Sequence, residues 1–119
     1  MGKLRCYDSC KDRYIVREWF EDVLQPRGGK KYLSVCMDIF DLVMSRIVDT
    51  RITRVQGYGA AVLLYCVKFH GLNLRLTELA DKTCGAVSAT ELVRLEQEVL
   101  SIIWALGSYH MLMMCAQGD

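Results

Sequence analysis

The sequence predicts an all-α fold, and three observations lead to this prediction. Only one proline, Pro26, occurs in 119 residues, and so few breakers favour helices over many short strands. Apolar residues recur at helical spacing in five successive segments. One of these segments, residues 59–67, reads Gly-Ala-Ala-Val-Leu-Leu-Tyr-Cys-Val and is apolar on every side. Such a segment is typical of a helix that other helices surround.

The first two predicted helices lie on either side of the proline. The first runs from about Lys11 to Leu24, with one polar face and one apolar face. The apolar face carries Ile15, Trp19, Phe20, Val23 and Leu24. Residues 25–29, Gln-Pro-Arg-Gly-Gly, end this helix. The second helix is expected from about Lys31 to Val48, and it is largely buried because apolar residues cover more than half of its circumference.

The third predicted helix is the candidate for the centre of the bundle. It starts after Asp49 or Thr50, either of which is a good N-cap. It ends near His70, where Gly71 is suited to cap it. Its first half contains several small residues, so neighbouring helices can approach it closely there. These small residues are Gly57, Gly59, Ala60 and Ala61.

Two more helices complete the predicted five-helix bundle. The fourth is short, from about Leu76 to Thr83. The fifth opens at Ser88 with the capping-box pattern S-x-x-E and ends near Leu106, before a glycine. The chain therefore divides into an N-terminal extension (1–10), a helical domain (11–106) and an apolar tail (107–119). The tail either packs on the core, binds a partner or makes a dimer.

Composition and charge limit the classes of function. Hydrophobic residues make up 52% of the chain and charged residues 24%, as in an ordinary globular protein. The net charge of +1 argues against nucleic-acid binding, which usually needs a concentrated basic face. No apolar run reaches the roughly 18 residues that a membrane-spanning helix needs, so no membrane is expected as a partner.

The six cysteines do not predict a metal site. No two of them form a C-x-x-C pair, and those at 36 and 66 lie in strongly apolar segments, where a free cysteine behaves as a small hydrophobe. No signal peptide is recognised at the start of the chain. We therefore expect free thiols, no bound metal, and a location in the cytoplasm, the nucleus or both.

Catalytic motifs are not recognised in the sequence. The phosphate-binding, nucleophile-elbow and zinc-protease patterns do not occur, and residues 57–59, Gly-Tyr-Gly, fall inside a predicted helix rather than after a strand. His70 and His110 are the only histidines, and neither has an evident nucleophile beside it. We therefore expect a protein that is not an enzyme and needs no cofactor.

Four segments of the chain resemble a known family, in the same order. Residues 13–20 read RYIVREWF, residues 55–69 read VQGYGAAVLLYCVKF, and residues 91–104 read ELVRLEQEVLSIIW. These are similar to the first, third and fifth helices of the cyclin box, and residues 32–40 resemble the second helix less closely. The likeness covers residues 11–106. A single, compact box of this kind resembles a viral or otherwise minimal member of the cyclin family.

The resemblance implies a module that binds a protein kinase. In cyclins that activate kinases, a lysine late in the third helix and a glutamate in the middle of the fifth grip the partner, and these positions fall on Lys68 and Glu96. A lysine donates to carbonyls and a glutamate accepts from N–H groups, so both suit a partner's helix end. The implied partner is a cyclin-dependent kinase, whose activation promotes cell-cycle progression.

The resemblance also implies a substrate-docking patch. The patch would comprise Arg13, Ile15, Trp19, Val55 and Gln56, from the start of the first helix and the start of the third. Asp12 stands where the family has methionine, and an acid in an apolar groove is costly when covered, unless it pairs with a basic residue. Trp19 is equally well explained as a plain core residue.

Two other functions stay open at this point. The first is a cyclin-fold adaptor or decoy that binds a kinase, or another cell-cycle or transcription regulator, without activating a kinase. The second is a transcription-factor-like cyclin fold that touches DNA, against which the nearly neutral charge argues. An activation assay separates the activating cyclin from the adaptor.

Overall fold

The protein is an all-helical bundle, as the sequence predicts. The computed structural model describes the backbone of residues 5–117 and the side chains of residues 5–105. Within that part of the chain there are five α-helices, two 3-10 turns and no strand beyond a single bridge between Cys6 and Arg51. The helices are α1 (Asp12–Leu24), α2 (Leu33–Met44), α3 (Ile52–Phe69), α4 (Leu76–Lys82) and α5 (Ala89–Gln117). The 3-10 turns, Gln25–Arg27 and Lys30–Tyr32, connect α1 to α2.

Helix α3 lies at the centre of the bundle and is buried on every side. Its residues from Gly57 to Val67 are all buried, and it packs against α2, α4 and α5. This burial follows from the run of apolar residues around its whole circumference. The prediction of a central third helix is therefore confirmed. Around α3, Phe20 of α1 and Phe40 of α2 meet edge to face, with their ring centroids 6.0 Å apart.

A glycine allows α5 to pack closely on α3. A Cβ atom added at Gly57 would lie 2.7 Å from Leu95 Cδ1 and 3.3 Å from Val87 Cγ2. Both distances are shorter than ordinary van der Waals contact. A Cβ atom added at Gly59 would come no closer than 3.8 Å to its nearest neighbour, Phe40 Cε1. The small residue at position 57, rather than the one at 59, therefore determines how near α5 can come.

The end of α3 is formed by the glycine that the sequence indicates. Gly71 has a φ of 66°, a left-handed conformation that costs little without a side chain. The Leu72 N–H donates to the Val67 carbonyl at 2.9 Å, and the Gly71 N–H donates to the Lys68 carbonyl at 3.3 Å. This pair of bonds is a Schellman motif, which satisfies carbonyls that the helix end leaves free. The same pattern of bonds at Gly28 and Gly29 closes the segment after α1.

The predicted N-cap of α3 is wrong. Neither Asp49 nor Thr50 is the N-cap, because the helix begins at Ile52 with Arg51 before it. The Asp49 carboxylate instead accepts from the Arg51 N–H at 3.2 Å. The Ile52 N–H donates to the backbone carbonyl of Arg5, at 2.8 Å. A main-chain group from the N-terminal segment thus takes the place of a side-chain cap.

The N-terminal segment packs on the bundle through a buried carboxylate. Asp12, at the start of α1, accepts two hydrogen bonds from the Arg5 guanidinium, at 2.6 and 3.0 Å, and one from the Asp8 N–H at 2.7 Å. The hydrogen bonds from Arg5, and then the one from the Asp8 N–H, lower the pKa of Asp12 below its ordinary value. Tyr7 packs edge to face on Phe40, with centroids 5.9 Å apart. Residues 5–11 are therefore held against α1 and α2.

Two helix ends differ from the prediction. Helix α2 ends at Met44 rather than Val48, because the chain leaves the helix in turns there and Val48 is almost fully exposed. Helix α5 does not end at Gly107 but continues to Gln117. A glycine inside a helix costs only about 1 kcal/mol relative to alanine, and the leucine, methionine and alanine residues after it favour helix. How the tail side chains pack lies outside the described residues.

The predicted opening of α5 is confirmed in part. The Ser88 hydroxyl accepts a hydrogen bond from the Glu91 N–H at 3.1 Å, which is one half of the capping box. The Glu91 carboxylate points elsewhere, towards Arg54 of α3 and Arg94 of its own helix. Glu91 thus connects α5 to α3 instead of completing the cap.

The two glycines of α3 should respond differently to alanine. Gly59→Ala should raise the free energy of unfolding by about 0.5–1 kcal/mol, because alanine favours helix and the new methyl group has room. Gly57→Ala should give no such gain, because the buried Leu95 side chain must move. Urea denaturation of the two variants measures both values. An equal gain at the two positions would contradict the close packing of α5 on α3.

Candidate functional site

The two residues that the resemblance assigns to the grip form an ion pair across α3 and α5. Lys68 lies in the last turn of α3, and its Nζ is 2.9 Å from Oε1 of Glu96 in the middle of α5. Packing of α5 on α3 brings together these residues, which are 28 positions apart. The resemblance named both positions, and the structure places their side chains next to each other.

The two partners of this pair differ in their exposure to solvent. The side chain of Lys68 is 63% exposed, whereas that of Glu96 is 5% exposed. The carboxylate therefore lies just below the surface, and the ammonium group covers it. The exposure of Lys68 limits what the pair contributes to stability, because water screens its charge. The Lys68 ammonium, in contrast, keeps donor capacity for a group from outside.

Apolar side chains border the pair, and sequence reasoning missed them. Phe69 follows Lys68 and is exposed, with its ring stacked on Tyr65 at a centroid distance of 5.8 Å. Leu100 lies one turn after Glu96 and is half-buried. Their position at the surface could have been anticipated from the predicted end of α3 at His70, because side chains near a helix end reach the surface more easily. The pair thus sits in a surface of mixed charged and apolar character.

A second aromatic cluster lies next to this surface. The ring of His70 stacks on Tyr32 at 3.7 Å with an interplanar angle of 8°, and it meets Phe69 edge to face. The Nε2 atom of His70 is buried and has no hydrogen-bond partner among the described residues. Burial, and then the nearby Lys31, lower the pKa of His70 below its ordinary value of 6.5. The imidazole is therefore neutral at neutral pH.

The predicted docking patch corresponds to an apolar groove, with one exception. Four of its five residues line one groove between α1, α3 and the end of α4, with a volume of about 280 Å³. The groove is lined by Ile15, Val16, Trp19, Val55, Gln56, Gly59, Lys82, Thr83 and Cys84. Ile15 is 59% exposed at this groove, and Trp19 is half-buried. Val55 is buried beneath the groove.

The exception is Arg13, which does not line the groove. Its guanidinium forms two hydrogen bonds to Asp41 of α2, at 2.9 and 2.8 Å. Arg13 therefore connects α1 to α2 on another side of the helix. Asp12 is also absent from the groove lining, because it pairs with Arg5. Lys82 is the charged residue among those that line the groove.

Metal-binding and membrane-spanning features are absent from the part of the chain that the structure describes. No group of three or more His, Cys, Asp and Glu side chains is placed there to hold a metal ion. Five described cysteines are free, of which Cys36 and Cys66 are buried. A hydrogen bond with Cys36, together with burial, raises the pKa of the Cys66 thiol. None of the helices in residues 5–117 combines the length and the apolar character that a bilayer crossing requires.

Comparison with known proteins gives no relative: no family model, no curated protein and no solved structure matches the chain. The function is therefore inferred from the ion pair, the groove and the resemblance of the sequence segments.

The neutral His70 should make stability depend on pH. Below pH 6.5 the unfolded chain takes up a proton at this residue before the folded chain does, so stability falls until folded His70 is protonated too. Above pH 6.5 the effect is absent. Urea denaturation across the weakly acidic range should show a smaller loss of stability in His70→Phe than in the original chain. The same slope in His110→Phe and His70→Phe would contradict this assignment.

Proposed function

We propose that this chain is a cyclin-like regulatory subunit that binds a cyclin-dependent protein kinase and activates it, which promotes cell-cycle progression. The observation that carries the proposal is the Lys68–Glu96 pair. The resemblance assigns the kinase grip to these two positions, and packing of α5 on α3 places their side chains 2.9 Å apart at the surface. The all-α bundle with a buried third helix is compatible with a cyclin box and supports the same proposal.

The chemistry of the pair suits the end of a partner helix. Free N–H groups at the N-terminal end of a helix donate to the Glu96 carboxylate, and carbonyls of the loop that leads into that helix accept hydrogen bonds from the exposed Lys68 ammonium. Bonds of this kind, with one charged partner, are stronger than neutral ones. Phe69 and Leu100 beside the pair supply apolar contact area, which an ion pair alone lacks.

Activation in this proposal is a shift between two kinase conformations. A partner helix that carries a glutamate must move in to meet the lysine that positions ATP. Lys68, Glu96 and the adjacent apolar side chains would bind that helix in its inward position. A protein that binds the active conformation more tightly than the inactive one raises the active population.

The apolar groove is proposed as a docking site for substrates. Its lining by Ile15, Trp19, Val55 and Gln56 provides an apolar floor with one polar amide. Grooves of this kind bind alternate apolar side chains of a peptide and orient it through a few polar groups. Arg13 has no part in this docking, since it is held by Asp41.

Loss of the ion pair should weaken kinase binding. The variant Lys68→Ala/Glu96→Ala should bind a cyclin-dependent kinase more weakly by at least about 2 kcal/mol, the usual threshold for a hot spot. Binding of the purified chain to a panel of such kinases measures this loss, and histone phosphorylation is recorded in the same wells. Thermal unfolding verifies that the variant is folded.

The matched control for this experiment is Arg75→Ala/Glu78→Ala. This variant removes another exposed ion pair, at the start of α4, in which Arg75 Nε lies 3.7 Å from Glu78 Oε1. It should leave kinase binding unchanged. Binding without a rise in phosphorylation would identify a non-activating adaptor instead, and no binding to any kinase would refute the proposed function.

The groove should affect substrates without affecting kinase binding. Ile15→Ser should lower phosphorylation of a full-length substrate that docks in the groove by about tenfold, which corresponds to about 1.4 kcal/mol. It should leave phosphorylation of a short peptide unchanged. Tyr14→Ser is the control, because Tyr14 is equally exposed on α1 but does not line the groove. Equal effects of both variants would show that the groove has no special role.

A further inference from the structure

Between α1 and the start of α2 lies a cleft with four basic side chains in its lining, which we call the basic cleft. It has a volume of about 400 Å³ and shares no lining residue with the apolar groove. Its lining residues are Arg13, Arg17, Lys30, Lys31, Leu33, Ser34, Met37 and Asp38. Four cations and one acid among eight residues are a concentrated positive charge for a chain whose net charge is only +1.

Two neighbouring elements bring these cations together. Arg13 and Arg17 lie one turn apart on α1, and the two lysines belong to the 3-10 turn Lys30–Tyr32 that leads into α2. Between the two elements the chain turns at Gly28, whose φ of 71° costs little because glycine has no side chain. The 3-10 turn then packs against α1. The lysines are therefore held beside the arginines by the backbone.

The nearest carboxylates leave much of this charge available. Oxygens of Glu21 lie 3.9 Å from Arg17 Nη1 and 3.4 Å from Lys30 Nζ. Both distances exceed the roughly 2.7–2.9 Å of a charge-assisted hydrogen bond. Lys31 forms no ion pair with any described residue, and its Nζ lies 5.3 Å from the ring centroid of Tyr32. Three cationic side chains can therefore turn their donors towards a ligand.

The rest of the lining adds further donors. Asp41 accepts hydrogen bonds from Nε and Nη2 of Arg13, so the Nη1 atom of this guanidinium remains available. The exposed Ser34 hydroxyl forms no hydrogen bond with a described residue. Asp38 is the one carboxylate in the lining. When Glu21, Asp38 and Asp41 are counted against the four cations, a positive charge still remains.

We propose that the basic cleft binds the phosphate group of a phosphorylated serine or threonine in a partner protein. Such a group carries a charge of about −1.5 to −2 and three strong acceptor oxygens. Arginine and lysine donors from separate side chains match several oxygens at once, and the arginine fork suits phosphate geometry. A peptide carboxylate brings only a single charge, as Glu21 already does.

The lining favours a phosphorylated protein segment over a nucleic acid. No aromatic ring lines the cleft, so a base has no surface on which to stack. The buried side chains of Leu33 and Met37 instead form an apolar floor, which suits the carbon atoms of a phosphorylated side chain. This proposal does not depend on kinase binding, because none of the lining residues belongs to the Lys68–Glu96 pair.

Binding of labelled peptides to the full chain, measured by fluorescence polarisation, tests the proposal. The probes are alanine-rich peptides with a central phosphoserine, serine or glutamate. The phosphoserine peptide should bind at least about tenfold more tightly than the other two, since one or two charge-assisted hydrogen bonds account for such a factor. Arg17→Gln/Lys31→Gln should remove this preference. Both residues are exposed, and circular dichroism verifies that the variant is folded.

The matched control is Arg75→Gln/Arg94→Gln. It removes the same charge at two exposed positions outside the cleft, with side chains 82% and 70% exposed. It should leave binding of the phosphoserine peptide unchanged. An equal loss in the two double variants would show a general effect of net charge and would overturn the proposal.

Removal of the nearest carboxylate should act in the opposite direction. Glu21→Gln frees Arg17 and Lys30, so the phosphoserine peptide should bind about two- to fivefold more tightly, as expected for the loss of a competing surface ion pair. Glu18→Gln removes the same charge from α1 at a residue outside the lining and should have a smaller effect. An equal gain from both variants would contradict the assignment to this cleft.

Three other results would also overturn the proposal. The first is no binding of the phosphoserine peptide even at millimolar concentration, and the second is equal binding of the glutamate peptide. The third is binding of a short single-stranded RNA in place of the phosphoserine peptide. Kinase binding is measured separately with Lys68→Ala/Glu96→Ala, so a failure of the proposed function leaves this test unaffected.

Discussion

The close packing of α5 on the buried helix α3 is the constraint on which the rest of the structure depends. At Gly57 there is no space for a Cβ atom, because Leu95 and Val87 occupy it. This contact fixes the distance between the two helices at the start of α3. Lys68 lies three turns further along α3, so the same packing determines where its ammonium group meets Glu96. One ion pair with an exposed lysine would not hold this geometry alone, since water screens the charge of the lysine. The candidate site is therefore a product of core packing.

Local chemistry made the central features of the fold predictable, and distant contacts made others unpredictable. The all-round apolar run identified α3 as the central helix, and Gly71 indicated its end, because both signals lie within the segment itself. The start of α3 could not be predicted in the same way. Its free N–H is satisfied by the carbonyl of Arg5, which is 47 positions away and leaves no mark in the local sequence.

The candidate site was likewise predictable only in part. Lys68 and Glu96 were named through a family resemblance, and periodicity alone could not have paired residues on two different helices. Arg13 was assigned to the docking patch on the same resemblance, but Asp41 of α2 holds it elsewhere. Helical spacing placed Ile15 on the apolar face of α1, yet its side chain is 59% exposed. That spacing shows which residues share a face of α1, but it cannot show that α3 and α4 leave a groove along part of that face.

The unequal burial of the ion pair bears on how tightly a partner could be held. Association removes charged groups from water, and this cost reduces affinity. Folding has already removed most of the water from Glu96, because its side chain is 5% exposed in the free chain. A partner that covers the site would therefore mainly desolvate Lys68, and it would find the carboxylate fixed in place. Preorganisation of this kind favours binding, since less order is imposed on association. The same argument explains why a buried acid under an exposed lysine suits a binding surface better than two fully exposed charges, which must both lose water and mobility when a partner arrives.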